Sequence, residues 1–132
     1  MLLIGRTIFE AMLAHLKAAY PLEGCGLLAG PAGRVRQLYP VDNRLHSGVA
    51  FEMEPAQLIA AIMDMEAQGQ GLLAIYHSHP AGAAVPSPTD IAQANYPEAV
   101  QIIVSLEEPE QPQVGAFQIV DGRVSAVTLI VV

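Results

Sequence analysis

Leu72-Leu73-Ala74-Ile75-Tyr76-His77-Ser78-His79-Pro80 decides how this chain folds. Its first five residues are all apolar, so a strand built from them has no solvent-facing side. Such a strand belongs in the middle of a sheet, covered on both faces. Two histidines close the run at i and i+2. Alternation along a strand puts such a pair on one face, and sites in open α/β sheets form at strand ends. Asp90 follows in Ser87-Pro88-Thr89-Asp90. Two imidazoles and a carboxylate supply three of the four positions of a tetrahedral zinc. A fourth position left to water marks a catalytic site rather than a structural one.

Upstream of that strand, Pro55 opens a helix whose apolar pattern is Leu58, Ile59, Ile62 and Met63, with Glu66 beside it; Gly69-Gln70-Gly71 ends it. Phe51-Glu52-Met53 reads as a short strand and residues 42–49 as a loop. Residues 26–30 form an apolar strand, turn at Pro31-Ala32-Gly33 and pair with 35–41 as a hairpin. Thr7-Ile8-Phe9-Glu10 has the pattern of a capping box. It opens an amphipathic helix over 7–20, carried by Ile8, Met12, Leu13 and Leu16 and stopped by Pro21. Downstream, Ser87 as N-cap and Pro88 at N1 start a short helix that ends near Pro97. Strands follow at 100–106, 114–120 and 123–131, the last two joined by an Asp121-Gly122 hairpin turn. This order predicts an α/β fold, a mixed β-sheet sandwiched by helices.

The 132 residues contain no repeat and no linker, so one domain over 1–132 is expected. Hydrophobic residues make up 52% and charged ones 14%, which excludes a disordered chain and supports a sizeable core. No apolar run reaches the roughly 20 residues that span a bilayer. The first residues carry no signal-peptide pattern, and the single cysteine, Cys25, excludes an internal disulfide. Both point to the cytoplasm. A net charge of −7 with six Lys and Arg leaves no basic face for nucleic acid. High apolar content with little charge suggests a face covered by a second copy, as in a homodimer.

Asp90 has a competing role: at N3 it completes the helix start and suits the helix dipole. The two roles are compatible, because a helix start facing the strand end holds Asp90 near His77 and His79. Ser87 then points into the same space, where its hydroxyl can serve a developing oxyanion as well as the cap. A metal-activated water also needs a proton acceptor. Glu23, at the mouth of an apolar strand in Leu22-Glu23-Gly24-Cys25-Gly26, is the best placed acid. Glu52, Glu54 and Glu66 read as solvated, and Glu107, Glu108 and Glu110 as solubilising loop residues. His15 and His46 read as surface residues, His46 with some reach toward a site from its loop. Cys25 reads as a small buried residue.

Taken together, Glu23 in Glu-Gly-Cys-Gly-Leu-Leu, His77-Ser78-His79-Pro80 and Ser87-Pro88-Thr89-Asp90 resemble the signature of the JAMM (MPN+) metalloproteases. The resemblance covers nearly the whole chain and fills every polar position of the motif. It implies a fold like that of the cytidine deaminases. It implies Zn2+ held by His77, His79 and Asp90, Glu23 as general acid/base on the zinc-bound water, and Ser87 as oxyanion stabiliser. It further implies hydrolysis of a peptide or isopeptide bond after the C-terminal Gly-Gly of a ubiquitin-like protein. The compact length is closer to prokaryotic members that process sulfur-carrier proteins than to the eukaryotic deubiquitinases. Two other readings stay open: a catalytically silent partner-binding scaffold, and a zinc hydrolase of another amide. A deaminase is disfavoured because the paired cysteine ligands are missing.

Overall fold

A computed structural model describes residues 1–132. In chain order its elements are β1 (Leu2–Ile4), α1 (Arg6–Ala19), β2 (Cys25–Gly30), β3 (Gln37–Val41), α2 (Pro55–Ala67), β4 (Gly71–His79), α3 (Pro88–Ala92), β5 (Val100–Ser105), β6 (Gln113–Val120), β7 (Arg123–Ala126) and β8 (Leu129–Val131). Six strands form one sheet in the order β3-β2-β4-β5-β6-β7. As its all-apolar run predicts, β4 is central, antiparallel to β2 and parallel to β5. The strand continues through the histidines: His77 pairs with Cys25 on one side and Ile103 on the other.

Alternation divides the sheet into two faces. Leu28, Ala74, Tyr76, Ile102 and Val104 join Met12 and Leu16 of α1 in one core cluster. Leu27, Ala29 and Ile75 join Ala61 and Met65 of α2 in the other. Two residues on from Ile75, His77 lies on the α2 face. Tyr76 faces α1, and its ring crosses β2 where Gly26 has no side chain; a Cβ there would overlap the phenol. His15 is therefore not the surface residue expected from sequence. It is half-buried, with Nδ1 hydrogen-bonded to the Tyr76 hydroxyl at 2.8 Å.

Five expectations are corrected. The capping box at Thr7 and Glu10 does not form, because α1 starts one residue earlier behind Gly5. The helix start is instead met by main chain from the far end of the sequence, Arg6 N–H donating to Val132 O at 3.0 Å. The expected strand 123–131 breaks in two. β7 stays with β6, whereas β8 leaves to pair in parallel with β1, a strand the sequence reading missed. Residues 51–53 make only a single bridge, Asn43 to Met53, and remain loop. In α2, Ile59 and Met63 are 59% and 64% exposed, while Ala61 and Met65 face the sheet. The small Ala61 lets the helix axis sit close to β2 and β4. Glu54 is not simply solvated, since its carboxylate caps α2 by accepting from Gln57 N–H at 2.8 Å.

No helix is long and apolar enough to cross a membrane.

Candidate metal centre

β4 delivers His77 and His79 to its C-terminal end on the α2 face, and α3 delivers Asp90 from across the gap. The α3 start forms as its sequence predicts. Ser87 Oγ accepts from Asp90 N–H at 3.1 Å, and Asp90 Oδ2 accepts from Ser87 N–H at 2.9 Å. This reciprocal cap fixes the carboxylate. The same Oδ2 lies 3.3 Å from His77 Nε2 and 3.1 Å from His79 Nε2, and the two Nε2 atoms are 3.1 Å apart.

That triangle suits a metal better than a hydrogen-bond network. Ala83 O can only accept, so its 2.8 Å contact fixes the His79 proton on Nδ1. In neutral His79 the Nε2 lone pair then faces both a carboxylate oxygen and the His77 nitrogen. One His77 proton cannot serve all these acceptors, whereas a cation between them satisfies all three. Ligand atoms on a tetrahedral zinc with bonds of 2.0–2.1 Å lie about 3.3 Å apart, close to the edges of this triangle. The donor set of two imidazoles and a carboxylate is also one zinc accepts.

The electrostatics of His77 and Asp90 point the same way. Burial pushes the His77 imidazole below its ordinary value, so it is neutral and able to ligate. Burial acts to lower His79 as well, but hydrogen bonds to Asp90 and Ala83 outweigh it and raise the imidazole. Burial acts to raise Asp90, yet the two histidines and Ser87 N–H hold its carboxyl well below the carboxylate range. Asp90 therefore stays ionised as a ligand must.

Glu23 lies just before β2, whose Cys25 pairs with His77. Gly24 N–H donates to the buried Ser78 Oγ at 2.9 Å, tying this segment to β4 between the histidines. Glu23 is 4% exposed and its Oε1 has no protein partner. Burial pushes its carboxyl up to about 7; the charge of His79 opposes that shift and the charge of Asp90 adds to it. Cys25 is fully buried as expected, its thiol pushed up to about 12 by burial and by the charges of Asp42 and Glu23. His46 is exposed on its loop. Glu52 is half-exposed and pairs with Arg44 at 3.1 Å.

Two participants were not legible in the sequence. Phe51 stacks on His77 with ring centres 4.5 Å apart and planes at 28°. Asn43 is buried among backbone groups of the 43–52 loop. Neither belongs to a periodic segment, and both act through partners distant in sequence. That loop and α3 enclose a cleft of about 490 Å³, lined by Leu45, Phe51, Met53, Tyr96 and Gln101, that opens on His77 and Asp90. β4 has neighbours on both sides, so no free strand edge lies beside the histidines. The nearer edge strand is β3, two strands away.

The model of the family described as prokaryotic homologs of the JAB domain matches residues 6–120. The chain belongs to this family. The JAB-domain chain is 34% identical over 126 residues to the CysO-cysteine peptidase of Mycobacterium tuberculosis (strain ATCC 25618 / H37Rv), covering 94% of itself and 86% of that protein. It is 38% identical over 103 residues to a desampylase of Haloferax volcanii, covering 73% and 74%. A solution structure of a Desulfitobacterium hafniense protein superposes with a TM-score of 0.90 at 36% identity, covering 99% of this chain and 92% of that one. A JAB1/MPN domain protein of Archaeoglobus fulgidus shares the fold at 20% identity, with a TM-score of 0.66 over 99% of this chain and 97% of that one. The JAB-domain chain is thus a hydrolase of the protease type on an α/β fold.

Proposed function

We propose that this JAB-domain protein is a zinc metallopeptidase that cleaves the peptide or isopeptide bond after the C-terminal Gly-Gly of a ubiquitin-like sulfur-carrier protein. The observation that carries the reading is the triangle of metal-ligand atoms from His77, His79 and Asp90, with the buried Glu23 carboxyl, whose Oε1 has no protein partner, on the segment that leads into the neighbouring strand. His77, His79 and Asp90 hold the metal. Bound there, zinc would supply Lewis acidity and lower the pKa of a bound water toward neutral. Glu23 takes the proton of the attacking water through its free Oε1 and returns it to the leaving amine. A carboxyl titrating near 7 exchanges protons in both directions at that pH. Ser87 Oγ already accepts from Asp90 N–H, so its own hydrogen is free to donate to the carbonyl oxygen as charge develops.

The substrate class comes from the relatives, named for acting on CysO-cysteine and as a desampylase. The cleft between the 43–52 loop and α3 would receive the carrier's tail, its apolar walls excluding water from the scissile bond. A tail without side chains can lie close against Phe51 and His77.

The test is incubation of the zinc-loaded protein with a small carrier protein extended by one residue beyond its Gly-Gly end. Intact-mass analysis should show the extension released, the activity lost to a chelator and restored by zinc. Zinc-loaded protein that leaves every such conjugate whole sinks the assignment.

A further inference from the structure

We propose that Asn43 is a positioning residue for this reaction, one side chain that locks both Glu23 and, by way of Phe51, the ring of His77. The proposal rests on the roles given to Glu23 and His77 above. Asn43 is 8% exposed and carries no charge. Its Nδ2 donates toward Glu23 O at 3.1 Å, Ala50 O at 3.0 Å and Ser47 O at 3.3 Å. Its Oδ1 accepts from Leu45 N–H at 3.1 Å and Glu52 N–H at 3.2 Å. A side-chain amide has two hydrogens and two lone pairs, so the capacity of Asn43 is fully used. No other residue of that size offers both halves: aspartate lacks the donors, leucine both.

The partners give the arrangement its meaning. Glu23 O is held by Asn43 directly, and Glu23 N–H donates at 2.8 Å to Ser47 O, a carbonyl that Asn43 also holds. Both main-chain polar groups of Glu23 thus lead to this one amide. Ala50 O and Glu52 N–H flank Phe51, so the same amide grips the loop on either side of the ring that stacks on His77. That stacking carries unusual weight here. A ligating histidine is ordinarily oriented by an acceptor on its second nitrogen, yet His77 Nδ1 is buried with no partner. Phe51, stacked on the face of the imidazole, is the contact that limits rotation of that ring. Asn43 thereby couples the proposed proton acceptor, just before β2, and a metal ligand on β4, which share no side-chain hydrogen bond.

Three variants test this. Asn43→Asp keeps the acceptor and removes both donors. Phe51→Leu removes the stacking and leaves Asn43 untouched. The third combines them. Zinc affinity is measured on folded protein by competition with a chromogenic chelator, and kcat and KM on the extended carrier. Asn43→Asp should weaken zinc about tenfold or more and lower kcat by a similar factor. Phe51→Leu should weaken zinc comparably. The double variant should bind zinc within about twofold of Asn43→Asp, since the two act along one path. A residue with only a structural role would lower the melting temperature and leave zinc affinity and kcat alone; zinc affinity within twofold of wild type in Asn43→Asp overturns the proposal. So do losses that multiply in the double variant. Should Asn43→Asp not fold, unchanged zinc affinity in Phe51→Leu overturns it alone. The zinc measurements need no substrate, so a wrong carrier would sink the proposed function and leave this inference standing. A wild-type protein that binds no zinc would remove both.

Discussion

Glu23 is held at a cost. A carboxyl moved from water into a pocket without a hydrogen-bond partner prefers its neutral form, so burial pushes Glu23 up to about 7. The sign of the pH effect follows. The folded-state pKa lies above the ordinary 4.5, so the neutral carboxyl favours folding fully below about 4.5 and this contribution is lost as pH rises through about 7. In metal-free protein, wild type should therefore lose stability between pH 5 and pH 8 relative to Glu23→Gln, by up to about 2 kcal/mol after solvent screening. Thermal melts of both proteins across that range decide it; parallel curves would mean the carboxyl is not perturbed. In the zinc-loaded enzyme the same substitution should lower kcat by at least about 10²-fold, the scale of general acid–base catalysis, while zinc affinity stays within a few-fold. Sequence alone could single out Glu23 because an acid at the mouth of an apolar strand is conspicuous. It could not expose Asn43 or Phe51, whose roles depend on carbonyls and a ring brought near by a loop without periodicity.

Among the elements, the start of α3 was legible because its signals are local, whereas its end falls at Ala92 rather than near Pro97. Ser87, Pro88 and Asp90 sit within four residues and form their cap with one another. The start of α1 was not, since its first N–H is satisfied by Val132 at the other end of the chain. β1 and β8 escaped for the same reason: each is three residues long and pairs only with the other. Two predictions belong at this scale. Ser87→Ala removes the acceptor for Asp90 N–H, so it should destabilise the protein by about 1 kcal/mol and lower kcat by about 10²-fold. Ser87→Thr, which keeps a hydroxyl, should recover most of the stability; equal losses in both variants would argue against the cap. Gly26→Ala places a methyl against the Tyr76 phenol and should destabilise by roughly 1–3 kcal/mol. Adding Tyr76→Phe should restore little of that, because two ring carbons meet the methyl as closely as the hydroxyl oxygen does. Urea melts of the single and double variants read the difference.

At the scale of the molecule, the proposed metal centre would join parts that the backbone alone holds together loosely. His77 and His79 come from the middle of the sheet, whereas Asp90 comes from a five-residue helix with no buried residue. α3 is thus anchored by its cap and by the carboxylate that faces the histidines, with little packing beneath it. A ligand that binds the folded state and not the unfolded one adds RT ln(1 + [L]/Kd) to stability. Free zinc at 100 times Kd should therefore add about 2.7 kcal/mol, a rise in Tm on the order of 10 °C for a chain of this length. His77→Ala and Asp90→Asn should each abolish most of that rise, although one residue lies on the sheet and the other on α3. Differential scanning calorimetry with and without zinc makes the comparison. A rise that survives in Asp90→Asn would mean that α3 takes no part in holding the metal, and that the capping box alone explains its aspartate.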